Sequence, residues 1–162
     1  MLHRFLRIVP TRLLVVTFLA GCTSTISESQ MRVSNAPPAS VRALTIKVES
    51  LVPDTEGDQA TLLAALRHEF AALGYQVDSG DLIVKATVTR LDRGSTAANV
   101  FLGLGIGSDS IDVRVEVTDS SGKRYMDFLD QGSVLDKRYS DMNGVIKGIA
   151  KRIAADIQQA SR

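Results

Sequence analysis

From residue 41 onward, apolar and polar positions recur with two periods, and each change of period marks an element. Leu44, Ile46 and Val48 alternate with Thr45, Lys47 and Glu49, the period of two that a half-buried strand requires. Val52-Pro53-Asp54 ends that run. The period then lengthens: Leu62, Leu63, Leu66, Phe70 and Leu73 share one helix face, with Asp58 expected as N-cap and Gly74 as left-handed C-terminal cap. Alternation returns as Leu82, Val84, Ala86 and Val88 against Lys85, Thr87 and Thr89. It is strictest where Ile111, Val113, Val115 and Val117 alternate with Asp112, Arg114, Glu116 and Thr118. Ser120-Ser121-Gly122 predicts a tight hairpin turn into a strand from about Lys123 to Leu129, with Met126 and Phe128 on one face. The last period is helical: Val145, Ile146, Ile149, Ile153, Ala154 and Ile157 lie opposite Lys147, Lys151 and Arg152, behind a cap at Ser140 or Asp141. The order strand-helix-strand-strand-strand-helix predicts an α+β fold. Its form is a two-layer sandwich, a mainly antiparallel four-stranded sheet with two helices on one face and the other face wet.

The first 40 residues follow no such period. Arg4, Arg7 and Arg12 lead into the apolar run Leu13-Leu14-Val15-Val16-Thr17-Phe18-Leu19-Ala20. That is the layout of a secretory signal peptide, and the run is too short for a membrane-spanning helix. Residues 23–40 are rich in Ser, Thr, Asn and Pro and read as a flexible linker of roughly 25 Å reach, stiffened by Pro37-Pro38. The chain divides into a signal at 1–21, a cysteine and linker at 22–40, and one α+β domain at 41–162.

Leu19-Ala20-Gly21-Cys22 resembles the lipobox of bacterial lipoproteins. The resemblance implies cleavage between Gly21 and Cys22, acylation of the Cys22 thiol, three palmitate-type chains in all, and a mature chain beginning with a lipidated cysteine. More than one acyl chain makes anchoring stable. Thr23 stands where, in enterobacterial lipoproteins, an Asp favours retention at the inner membrane, so the resemblance implies the outer membrane, facing the periplasm.

Charge then narrows the function classes. The chain carries 19 Lys+Arg against 18 Asp+Glu, and its signal holds three of the arginines and no acid. The mature protein is left at about −2, with no basic stripe of the kind nucleic-acid binding uses. Cys22 is the only cysteine, so no disulfide is available once it is acylated.

Candidate chemistry is sparse. His68 is the only histidine after the signal, on a polar helix face, which excludes a histidine-pair metal site. A Ser-His-Asp arrangement through His68 would lack a nucleophile-elbow motif. Asp109 with Asp112, or Asp127 with Asp130, could form carboxylate pairs, yet Asp at strand ends and turns is usually a turn or surface residue. Gly103, Gly105 and Gly107 do not meet the phosphate-loop fingerprint, because position 108 is Ser and a strand follows instead of a helix. No catalytic residue, metal or cofactor is expected. Val100, Phe101, Leu102, Leu104 and Ile106, interleaved with those glycines, have two readings. They pack into the core, or they present an apolar surface to a partner or to lipid.

Arg93-Gly94, the run Gly103 to Ser108, and the run Ile111 to Lys123 resemble a family of bacterial lipoproteins, the domain of unknown function 4410. The resemblance implies a secreted, lipid-anchored α+β domain without catalytic residues to carry over. The order of elements also resembles small envelope-assembly lipoproteins. The expected function is therefore non-enzymatic: a lipid-anchored binding or assembly accessory of the cell envelope, acting through its sheet and the glycine-rich apolar segment. Its expected partners are the membrane, through acylated Cys22, and another envelope protein. The alternative is a periplasm-facing carrier of a small apolar ligand.

Overall fold

The computed structural model describes residues 26–33, 36–54, 56–93, 109–134 and 141–162, with residues 26–33 and 134 described by backbone alone. The signal, Cys22, and the segments 94–108 and 135–140 lie outside the described residues. In chain order the elements are β1 (Ile26–Val33), β2 (Ala43–Ser50), α1 (Asp58–Ala72), β3 (Gln76–Val77), β4 (Leu82–Asp92), β5 (Asp109–Thr118), β6 (Arg124–Val134) and α2 (Met142–Ala160).

The fold is α+β with two helices and a mixed sheet, which corrects the expected four-stranded, mainly antiparallel one. Six strands lie in the order β1-β6-β5-β4-β2-β3. β4, β5 and β6 are antiparallel neighbours, and between β5 and β6 the five-residue connection Asp119–Lys123 is short enough to allow no other pairing. β2, however, pairs with β4 in parallel, from Leu44 opposite Leu82 to Ser50 opposite Val88. The reason is α1: a helix between two strands carries the chain back to the end where the first strand began, so the second runs the same way. β3 adds a two-residue parallel contact beyond β2.

β1 is the larger departure. Residues 26–33, read as linker, pair antiparallel with β6, from Ile26 opposite Gly132 to Val33 opposite Met126. Their sequence has no sustained alternation, and the register shifts between Ser27 and Gln30. The free edge of β6 supplies what the segment's own pattern does not.

The core lies between one sheet face and both helices. Leu44 and Ile46 of β2, Leu82 to Val88 of β4 and Ile111 to Val117 of β5 turn alternate residues into it. Leu62, Leu66 and Phe70 of α1 and Val145, Ile149, Ile153 and Ile157 of α2 close it from above. Gly132 of β6 allows α2 its close approach: a Cβ there would stand 2.5 Å from Val145 Cγ1. One acid is built into this layer. Asp130 is fully buried and receives the Arg152 guanidinium from α2, with Nε at 3.2 Å and Nη2 bonded as well. Burial pushes the Asp130 carboxyl above its ordinary value although Arg152 opposes the shift. Asp156, close by on α2, is likewise raised by burial.

The helix ends differ in how far they follow the sequence. Asp141 caps α2 by accepting from Gly144 N–H at 2.8 Å. Gly74, at φ 84°, closes α1 with Gly74 N–H to Ala71 O and Tyr75 N–H to Phe70 O, a Schellman pattern sealed by the Phe70–Tyr75 ring contact. Asp58 does not cap α1. Asp54 accepts the N–H groups of Asp58 and Gln59 instead, at 2.8 and 3.2 Å, which leaves the Asp58 side chain for another partner.

Candidate functional site

The sheet face turned away from the helices is uncovered among the described residues, and its polar positions are ordered. Lys85 Nζ lies 2.7 Å from Glu49 across β4 and β2. Glu116 of β5 and Asp127 of β6 are direct register partners, an arrangement in which like charges repel. Two arginines relieve it. Arg114 donates Nε and Nη2 to the two Asp127 oxygens at 3.0 and 2.7 Å, while Arg124 reaches Glu116 at 3.3 Å and Asp127 at 3.4 Å. The Asp127 hydrogen bonds raise Arg114 further above its ordinary value, as the Glu49 bond does for Lys85. Exposed pairs of this kind add little stability. Their effect is to fix where charge is displayed, from β2 across to β6.

The two ends of the sheet are chemically distinct. Register places Ile26, Asp92, Asp109 and Val134 at one end, with Ser50, opposite Val88, pointing the same way but stopping a few residues short of it. Arg93, the residue after β4, is held there. Its Nη2 meets both oxygens of buried Asp58 at 2.6 and 2.5 Å, and its Nη1 meets Glu56 at 2.5 Å. Burial disfavours the Arg93 charge, but hydrogen bonding and charge from Asp58, with Glu56 and Asp109, outweigh it and raise the group. Leu51, directly after β2 at this end, is 74% exposed and is fixed by its N–H bond to Val88 O at 2.9 Å.

At the opposite end Asp119 organises the β5–β6 hairpin. Its carboxylate accepts from Ser121 N and Oγ, Lys123 N and the Tyr125 hydroxyl at 2.5–3.0 Å. Those bonds, the Ser121 hydroxyl foremost, lower Asp119 to about 2. The same contact raises Tyr125. A depression of about 280 Å³ lies near this end, lined by Val41, Arg42, Ala43, Ser79, Gly80, Asp81 and Leu82. Its lining mixes charged, polar and apolar groups.

The candidate residues fare unequally. Gly21, Cys22, Val100, Phe101, Leu102, Leu104 and Ile106 fall outside the described residues, although Arg93 and Asp109 bracket the apolar segment at the Ile26 end of the sheet. His68 is exposed on α1 beside the Arg67–Asp78 ion pair. Neither carboxylate pair forms a site: three residues apart on a strand, Asp109 and Asp112 point to opposite faces, and so do Asp127 and Asp130. Among the described residues no group of three metal-ligating side chains comes together. No helix among them is long and apolar enough to cross a membrane. Sequence reasoning missed the Arg93–Asp58–Glu56 cluster and the buried Asp130. The latter had a legible signal, since counting alternate positions from Met126 and Phe128 reaches it.

Residues 55–136, half of the chain, match the family described as Domain of unknown function (DUF4410). No curated protein matches in sequence. Among solved structures, a variant of PelC from Paraburkholderia phytofirmans, described as a dodecamer, aligns over 81% of this chain and 98% of its own at 13% identity, TM-score 0.54. A second PelC dodecamer structure from the same organism aligns over the same shares at 11% identity, TM-score 0.54. A minor lipoprotein from Acinetobacter baumannii aligns over 73% of this chain and 93% of its own at 14% identity, TM-score 0.47. At these identities the PelC likeness is one of fold.

Proposed function

This chain belongs to the DUF4410 family, and we propose that it is a lipid-anchored envelope protein acting without catalysis of its own as a binding or assembly accessory. Acylated Cys22 holds it to the outer membrane, facing the periplasm. The observation that carries this reading is the uncovered sheet face. Glu49–Lys85, Glu116–Arg124 and Asp127–Arg114 set alternating charge in fixed positions across four strands. Such a face suits a protein partner of complementary pattern, because prearranged charges select register and suppress wrong partners. A carrier of small apolar ligands would need a cleft between helices and sheet. The side chains there, Leu62, Leu66, Ile149 and Ile153 among them, are fully buried against one another.

The test is affinity capture of the acylated protein from solubilised envelopes, with mass spectrometry of what co-purifies. We expect a stoichiometric envelope protein that is lost from the Lys85→Glu, Arg114→Glu variant while the melting temperature holds. Because the similar fold of PelC is described as a dodecamer, a second copy of this chain is one such partner, recognised by the mass of the assembly. A partner-free monomer, or capture indifferent to both reversals, sinks the reading. Replacing Phe101, Leu102 and Leu104 by Ser asks the same question of the apolar segment. Lost capture with little change in melting temperature would move the contact there.

A further inference from the structure

The chain's entry into the sheet fixes more than an address. Four residue steps separate Cys22 from Ile26, a reach of at most about 14 Å. Ile26 opens β1 opposite Gly132, at the end of the sheet where β2 and β4 finish and β5 starts. An 11-residue strand such as β4 is about 36 Å long, so the hairpin end stands well beyond that reach. We propose that the domain rests upright on a lipid surface, with the Ile26 end of the sheet against the bilayer and Leu51 at the contact. This rests on the acylation of Cys22 read above.

Three other postures are available to a body tethered beside β1, and each conflicts with the surface it would press on lipid. Lying on the helices would set the exposed Lys147 and Lys151 of α2 against it. Lying on the open sheet face would set Lys85, Glu49, Arg114 and Asp127 against the bilayer, and charged groups lose hydration there at high cost. Lying on the β1 edge would leave Leu51 on the far side of the sheet. Four strand spacings separate β1 from β2, about 19 Å. Upright, the domain brings to the lipid its most exposed large apolar side chain among the described residues, with Val52 half-buried and Pro53 exposed beside it. Asp54 and Glu56 are exposed nearby, so this end favours a zwitterionic surface over an anionic one. The opposite end displays Ser120, Ser121 and Lys123 and stays in water.

The experiment uses the full acylated chain in vesicles of phosphatidylethanolamine and phosphatidylglycerol, three to one, doped with doxyl-labelled lipid. Single cysteines, Leu51→Cys, Thr87→Cys and Ser121→Cys, carry an environment-sensitive fluorophore; the Cys22 thiol is already bonded to lipid and takes no label. We expect quenching at 51 at least threefold stronger than at 87 or 121. Equal or stronger quenching at 87 or 121, or none at 51, overturns the upright posture. Intact mass of the same samples separates the failures. Acylated protein unquenched at 51 removes the posture and leaves the anchor; protein without acyl mass removes both.

Discussion

Two carboxylates three residues apart on β6 have the same kind of partner and opposite circumstances. Asp127 lies on the open face, its side chain 22% exposed, bonded to Arg114, which is 52% exposed. Asp130 lies on the covered face with no exposure, bonded to Arg152 at 29%. In water the first pair exchanges one good solvation for another, so its contribution is small and screened by salt. In the core the second pair must offset the dehydration of a whole carboxylate, and its Coulomb attraction roughly cancels that cost. Residual destabilisation shows as the raised Asp130 carboxyl. Matching geometry therefore does not mean matching energy. The face decides it, and from Met126 to Ser133 the face is decided by whether a residue's number along β6 is odd or even.

The hardest test of that contrast removes one partner from the core. Arg152→Ala leaves Asp130 buried without its cation and should cost about 3–5 kcal/mol by urea unfolding at neutral pH. Replacing both partners, Asp130→Leu with Arg152→Met, should restore stability to within about 1 kcal/mol of the native chain or better. A double variant as weak as the single one would show that the pair does more than satisfy itself. Next in size is Gly132→Ala, whose Cβ would meet Val145 Cγ1 at 2.5 Å and Ile149 Cδ1 at 2.9 Å. Pushing α2 off β6 should cost about 1–3 kcal/mol and weaken the Asp130–Arg152 bond with it. On the open face, Arg114→Ala should shift the urea midpoint by an amount hard to separate from scatter and erased by added salt. A loss comparable to that of Arg152→Ala would break the comparison outright.

The comparison extends to pH, where two acids pull in opposite directions. Asp119, lowered to about 2, gives stability that is present above its ordinary value near 3.8 and disappears as pH falls through about 2. Asp130 is raised, so its contribution is full below that ordinary value and fades as pH climbs through the raised one. Unfolding free energy followed from pH 2 to 7 should lose its steep acid limb in Asp119→Asn. In Asp130→Asn it should lose the downward slope on the less acid side.

Periodicity made the framework legible. β5 was readable from Ile111 to Val117 and α2 from Val145 to Ile157, because each buries one face and so repeats at its own period. The turn at Gly122 and the cap at Asp141 were readable from local chemistry. What escaped is what depends on a neighbour distant in sequence. Ser27-Glu28-Ser29-Gln30 becomes part of a strand because β6 offers an edge, and nothing in those four side chains says so. Asp58 looked like a cap because it precedes a helix, yet Arg93, 35 residues on, takes its carboxylate while Asp54 does the capping. Arg152 looked like part of a solvated stripe; its length lets the stem follow α2 while the head reaches Asp130. The candidate contact residues of the apolar segment were named from composition alone, and composition does not say which way a side chain faces.

Strand β1 also determines how this domain would bear a pull. Any force between residue 22 and the far end of the sheet enters at Ile26 and runs along the strand, while its hydrogen bonds to β6 lie across that line. Bonds set across the line of force share it and yield together, whereas bonds at the tip of a hairpin open one by one. A first strand laid antiparallel on the last one is thus a lap joint, loaded along its length and glued over most of it. A chain tied down at one end and tugged at the other would keep its shape until that joint slides.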